Sequence, residues 1–465
     1  MSSPSFAQLD EQPFKRFHWL ALLTTGMGVF TDGYDLSSIG IVLPLVLASF
    51  GVAHVSSFQG AALAGSALVG AAIGALIFGF LAQRGRKAFY GIDVTIMAVA
   101  AVAQIFVGSV WALIAVRFIL GIGIGADYVL SPTIMAEHAN RRDRGKKIGL
   151  GFGAMWTAGA LVSALLTMGL QHAGVGNDLV WRIVLAFGAV PALSVLYLRR
   201  RMPETARYLA RLADDKPGAE AVVRHVSGEQ AALLPGRDTR GVAEVFARHA
   251  KPIFATALLW MVFDIVVYSG ILFGPSLIAK GLGLSATTFS IGMTLLFTLP
   301  GGLIGALFLI DRIGRKALQA GGFIGAAAML ILFAALHQWV LAAPVLGMIL
   351  FGLYNLTING GPAMVSGAGI LGVELAPTRV RTIGQAISVA GGRIGASISA
   401  FLFPLVFARI GVVGAIYILA AFSILGAVLT MVLIPETAGR SLEDVNDDAG
   451  SAMPAMAAGL APQQA

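Results

Sequence analysis

The 465 residues include no cysteine, which excludes disulfides, thiol catalysis and thiolate metal sites. Charge is scarce as well: Asp, Glu, Lys and Arg make up 12% of the chain, about half the share usual in a soluble domain. With 57% hydrophobic residues and a mean hydropathy of +0.83, too little polar surface remains to solvate a globular protein. The seven histidines (His18, His54, His138, His172, His225, His249 and His337) are scattered over span ends, loops and a linker. None has a second histidine four residues away with an acid between, and no Gly-Lys-Ser or Gly-Lys-Thr loop occurs. Enzymatic and nucleotide-driven readings therefore have no residues to stand on, and no cofactor or metal is expected.

What is present is a succession of apolar runs, each near the ~20 residues that a bilayer requires of a helix. They lie at 18–46, 57–82, 88–108, 110–136, 148–171 and 180–200, then at 252–280, 287–310, 317–337, 340–370, 383–408 and 412–434. The first run has no small-residue cleavage site and reads as a retained helix. The expected fold is an all-α membrane protein of twelve transmembrane helices in two halves of six. Its expected divisions are an N-terminal segment 1–17, a half 18–200, a mixed polar linker 201–251 with some amphipathic helix, a half 252–435 and a tail 436–465. The tail turns acidic and then into an Ala, Met, Pro and Gln stretch that reads as disordered.

The net charge of +8 does not point to nucleic acid, because the bases sit in short loops between apolar runs. Placing the amino terminus in the cytoplasm puts 27 of the 32 Lys and Arg residues on the cytoplasmic side, so the positive-inside rule places both termini there.

Three loop motifs recur in order. Glu137, Arg142 and Arg144 after span four match Glu374, Arg379 and Arg381 after span ten at an offset of 237. Pro203-Glu204-Thr205-Ala206 matches Pro435-Glu436-Thr437-Ala438 at 232, and Arg84, Arg86 and Lys87 are echoed by Asp311, Arg312, Arg315 and Lys316. Two parallel copies of a six-helix unit imply a substrate site between the halves near the bilayer midplane.

These loops resemble those of the major facilitator superfamily, over essentially the whole chain. That family's loop motif between spans two and three is intact from Asp311 to Lys316, whereas Gln83 stands at the acid position of the first copy. The resemblance implies a cytoplasmic gate built from Gln83, Arg84, Arg86, Asp311, Arg312, Arg315, Glu137, Arg144, Glu374 and Arg381. It is weakened at Gln83. Arg117, Gly121, Gly123 and Gly125 resemble the span-four motif, where glycines allow close helix packing. The two Pro-Glu-Thr closures resemble those of sugar porters and phosphate symporters and read as marks of subfamily.

Five acids fall inside spans, Asp32, Asp35, Asp93, Asp127 and Asp264, and each costs about 2.5–3.5 kcal/mol at a helix centre unless paired, neutral or wet. The spans offer few bases in return, with Arg117, Arg182 and Arg393 the main candidates. Some of the acids are therefore expected to carry a proton part of the time, as proton coupling needs. Pairing with Arg393 or the backbone is the structural alternative. Asp32 and Asp264 differ by the repeat offset of 232 and occupy equivalent places in spans one and seven. Trp260, Asp264 and Tyr268 follow at i, i+4 and i+8, which places an indole N–H, a carboxyl and a phenol on one helical face. Such a row of donors suits an oxyanion.

This set is similar to that of the phosphate:proton symporters of the superfamily. They carry the Asp-x-x-Asp of Asp32 to Asp35, the span-three acid at Asp93, the Gly-x-Gly-x-Gly-x-Asp-Tyr of Gly121 to Tyr128 and the span-seven Trp, Asp and Tyr. The resemblance implies that Tyr128, Trp260, Asp264, Tyr268 and Asn359 contact substrate and that Asp32, Asp35, Asp93, Asp127 and Asp264 handle protons. Ala363 stands where the family has Asn, and Met155 and Trp156 stand where it has Gln, which leaves room for a larger anion with an apolar part. The expectation is a monomeric, proton-coupled symporter of a small anion, inorganic phosphate first, in the plasma (cell inner) membrane. An aromatic or other organic acid symporter, a sugar porter and a non-transporting substrate sensor are the alternatives.

Overall fold

The structure, a computed structural model, describes residues 6–446 except 14, 53, 55, 56 and 231–233. The first five residues and the tail from 447 onward, expected to be disordered, lie outside the described residues. Helix dominates, and no strand occurs among the described residues. In hydrocarbon this is the economical choice, since an α-helix satisfies its backbone polar groups internally.

The spanning helices are α1 (Arg16–Ser49), α2 (Phe58–Arg84), α3 (Arg86–Phe106), α4 (Val110–His138), α5 (Arg144–His172) and α6 (Asn177–Arg201). The second set begins with α7 (Val242–Phe273), α8 (Ala286–Leu309), α9 (Arg315–Ala335) and the shorter α10 (Pro344–Gly360). A final helical stretch, Arg381–Leu433, is interrupted at Gly411 with φ 72°. At ~1.5 Å per residue it would be about 80 Å long, far beyond a ~30 Å hydrocarbon core, so it is two helices, α11 (381–410) and α12 (412–433). The twelve expected spans are all found. Large apolar side chains face outward along them, Val99 65% exposed and Val432 73% exposed, which suits lipid contact.

Two boundaries differ from expectation. Helix α7 starts about three turns early, at Val242, because Val245 packs with Ile253, Ala376 and Val380 and draws the end of the linker into the helix. The expected single span at 340–370 is broken: Gly361 leaves helical geometry (φ −115°, ψ −94°), Pro362 follows, and the chain resumes in a wide π turn at Ala363–Gly367. The linker does contain a helix, Lys216–Ser227.

Small residues set the helix spacing. A Cβ on Gly159 of α5 would stand 2.0 Å from the Phe30 carbonyl of α1, and one on Gly33 of α1 would stand 2.0 Å from the Trp156 carbonyl of α5. Gly121 and Gly125 of α4 meet the Ala67 and Ala71 carbonyls of α2 equally closely. The glycines of the span-four motif therefore pack backbone on backbone.

Candidate functional site

Between the halves lies a cavity of about 470 Å3, mouth included. Helix α1 contributes Val29, α4 Tyr128, and α5 Phe152, Gly153, Trp156 and Thr157. From the other half, α7 contributes Trp260, Phe263, Asp264, Val267, Tyr268 and Ile271, α10 and its continuation Asn359, Ala363 and Gly367, and α11 Arg393. Arg393 is the one cation and Asp264 the one carboxylate among these lining residues. An Arg393 Nη1 hydrogen donates to the Tyr268 hydroxyl at 2.5 Å, and the same nitrogen is 3.3 Å from Asp264 Oδ2. The guanidinium lies 4.3 Å from the Tyr128 ring centroid, so aromatic faces as well as the carboxylate hold it. Tyr128 and Trp260 meet edge to face across the halves at 6.0 Å.

A second charged cluster is buried within the first half. Arg199 bridges Asp93 Oδ2 at 2.5 Å and Asp127 Oδ1 at 2.8 Å, with its guanidinium over the Tyr90 ring. Asp93 also accepts from the Gly91 and Val94 amides, and Asp127 from Ser131. The cluster rests against Gly28 of α1, where a Cβ would collide with Arg199. One turn further along α1, Asp32 is fully buried and neither carboxylate oxygen has a hydrogen-bond partner. Its charged surroundings are Asp127, Asp35, Arg199 and Arg393, so it stands between the two arginine clusters. Asp35 lies against Gly188 of α6 and within the field of Arg117.

Toward the base-rich face the cavity is shut by a nearly twofold network. Arg144 Nε donates to Glu374 at 2.7 Å and Arg381 Nη1 to Glu137 at 2.8 Å, each pair crossing between halves. Within each half a further arginine supports the acid, Arg86 at 3.4 Å from Glu137 and Arg315 at 3.3 Å from Glu374. The Thr205 and Thr437 hydroxyls complete the set on Glu137 and Glu374 respectively. All six charged side chains are fully buried. Asp311 accepts from the Gly145 and Lys146 amides at the start of α5, 3.2 and 2.7 Å away, where a helix N-terminus favours an anion. At the corresponding place Gln83 makes one neutral hydrogen bond, to the Thr382 hydroxyl at 2.6 Å. Arg84 and Arg312 are exposed and stand outside the buried network.

Residues 20–449 match the sequence profile described as "Sugar (and other) transporter". The chain belongs to this family. Among curated relatives of this transporter, a probable inorganic phosphate transporter 1-12 of Oryza sativa subsp. japonica is 34% identical, with 95% of this chain and 94% of that protein aligned. A probable inorganic phosphate transporter 1-6 of Arabidopsis thaliana is 33% identical over 95% of each. In structure, the major facilitator superfamily proton:xylose symporter XylE bound to 6-bromo-6-deoxy-D-glucose superposes with a TM-score of 0.78 at 20% identity, covering 92% of this chain and 98% of that one. The inward open conformation of XylE from E. coli gives 0.67 at 21% identity, over 92% and 98% of the two chains. The protein has the twelve-helix fold of that superfamily. It is an integral multi-pass membrane transporter of a small substrate and not an enzyme.

Within this transporter, Tyr128, Trp260, Asp264, Tyr268 and Asn359 all line one cavity. Asp32, Asp35, Asp93 and Asp127 do not line it; they are packed behind it in the first half. Three groups escaped the sequence reading. Arg199 counts as a loop base by position, two residues from the end of α6, yet its long side chain turns inward to two acids; the shortage of bases for the buried acids was the signal. Arg393, by sequence a candidate carboxylate partner, is also the cation facing the cavity. The Pro-Glu-Thr closures, read as marks of subfamily, supply gate parts: the threonines hold Glu137 and Glu374, while Glu204 and Glu436 accept from the first amides of α3 and α9.

Proposed function

We propose that the transporter is a proton-coupled symporter that imports inorganic phosphate as a monoanion, working as a monomer in the plasma (cell inner) membrane with both termini cytoplasmic. The rocking bodies in this reading are residues 18–200 and 252–435, joined by 201–251. The observation that carries it is the pairing of a single cation, Arg393, with a single carboxylate, Asp264, in the cavity between the halves. With Asp264 ionised its charge cancels that of Arg393, so the pair offers no net attraction to a second anion and the carboxylate itself opposes one. Two like charges 4 Å apart at an effective dielectric of 20 oppose each other by about 4 kcal/mol, close to three decades in affinity. A proton on Asp264 removes that repulsion and leaves Arg393 free to bind one negative charge. Phosphate would then take donors from Arg393, Tyr128, Tyr268 and Trp260. Asp32, without a protein partner and between the two arginine clusters, is the proposed stop for the proton on its way. Relatives named as inorganic phosphate transporters, aligned over 95% of the chain, support the choice of anion.

The test is radiolabelled phosphate uptake into proteoliposomes with and without an inward proton gradient. The expected result is accumulation with the gradient and its loss, with phosphate counterflow retained, in Asp264→Asn. Gradient-driven accumulation unchanged in Asp264→Asn would defeat the coupling scheme, and no phosphate movement under any gradient would defeat the choice of substrate.

A further inference from the structure

Further from the gate a second cavity of about 610 Å3, mouth included, adjoins the first, sharing Trp156, Val267, Ile271 and Asn359 with it. No charged side chain lines this outer chamber. Its polar groups are nevertheless ordered: α8 presents Ser290, Thr294 and Thr298 at i, i+4 and i+8, and α10 presents Asn355 one turn before Asn359. Ser290 and Thr298 donate to the Ala286 and Met293 carbonyls at 2.8 and 3.2 Å, which leaves their oxygens able to accept. Asn355 Nδ2 donates to the Phe351 carbonyl at 2.9 Å, which leaves its amide oxygen as an acceptor. Trp156, Phe289 and Phe351 supply aromatic walls. Helical geometry widens to π turns at Thr294–Thr298 and Gly274–Ile278, two segments that border this chamber. Such turns recur at functional sites.

The chemistry of the chamber selects its occupant. A second anion would find no cation there, and a hydrocarbon would leave the acceptor oxygens of Ser290, Thr298 and Asn355 without a donor. A neutral group rich in hydroxyls fits both the acceptors and the aromatic faces. We propose that the two chambers together recognise a phosphomonoester of a small polyol, its phosphoryl head at Arg393 and its hydroxyls in the outer chamber. This rests on the reading of the central cavity as a phosphate site and widens the substrate class of that site.

The experiment measures radiolabelled phosphate uptake by the full chain in proteoliposomes, with unlabelled phosphate, glycerol 3-phosphate or glycerol as competitor. Glycerol 3-phosphate is expected to inhibit and glycerol alone to have no effect. In the double variant Ser290→Ala, Thr294→Val, half-inhibition by glycerol 3-phosphate should need about tenfold more competitor, the loss of two neutral hydrogen bonds, while inhibition by unlabelled phosphate stays the same. Because both competitors are read on one preparation, poor folding of the variant cancels. Phosphate uptake that glycerol 3-phosphate does not inhibit, or inhibits equally in both proteins, would overturn the outer site and leave the phosphate reading standing. A protein that moves no phosphate would remove that reading and the proposal with it.

Discussion

Replacing Arg144 with glutamine separates the gate from the rest of the fold. Arg144 belongs to the first half and bonds to Glu374 of the second at 2.7 Å and to the Arg440 carbonyl of the tail at 2.9 Å. Glu374 would keep Arg315 from its own half and Thr437 from the tail, so the change leaves no orphaned buried charge. Hydrogen bonds to charged groups contribute about 1.5–3 kcal/mol net. The lost bonds exist only while the base-rich face is shut, so the ratio of shut to open molecules should fall at least ~10-fold, at 1.4 kcal/mol per decade. The native chain has no cysteine, so a single reporter gives a clean readout. Met364 is suitable: it is buried, and its side chain lies against Gly149 and Gly153 of the other half. Labelling of Met364→Cys by a water-soluble maleimide from the base-rich side should rise about tenfold when Arg144→Gln is added. Unchanged labelling, in a protein with unchanged thermal stability, would refute the idea that these bonds hold the face closed.

Arg393→Lys keeps the charge but loses the planar guanidinium that lies against the Tyr128 ring while its Nη1 reaches Tyr268 and Asp264; the apparent KM for phosphate should rise about tenfold or more, read from initial uptake rates. Gly159→Ala would press a methyl onto the Phe30 carbonyl and should cost about 1–3 kcal/mol, visible as a lower Tm in detergent, whereas Gly108→Ala, at a loop glycine with open space around it, should not clash. At the base-rich face Arg207 joins Glu443 of the C-terminal segment, 2.7 Å away, to Asp10 of the N-terminal segment, 2.9 Å away. Burial alone would push the Glu443 carboxyl up, but Arg207, together with Arg381 and a backbone hydrogen bond, holds it below the usual glutamate range. A depressed folded value means that this contact is present above the unfolded pKa of about 4.3 and is lost as pH falls through the folded one. Hydrogen exchange of residues 442–446 should therefore stay slow near neutrality and gain protection-loss only in acid, and Glu443→Gln should abolish that pH dependence.

Much of the architecture was legible because each helix must bury its own backbone polar groups in hydrocarbon, a demand met locally and written in runs of apolar residues. The repeat offsets added the pairing of halves, and the stripe Trp260, Asp264, Tyr268 was readable because a single helix carries it. Groups whose meaning depends on another helix were not readable in the same way. Arg199 and Asp93 are 106 residues apart, and only the antiparallel course of α3 and α6 brings the end of one beside the start of the other. Arg393 faces Tyr128 across the two halves, and Thr205 and Thr437 meet Glu137 and Glu374 only after four helix ends converge. Which acids exist inside the membrane, and on which helix face, follows from the order of residues. Which of them is neutralised by an arginine, which is left without a partner, and where two chambers open between the halves follow from long side chains crossing between helices, a choice that packing alone makes.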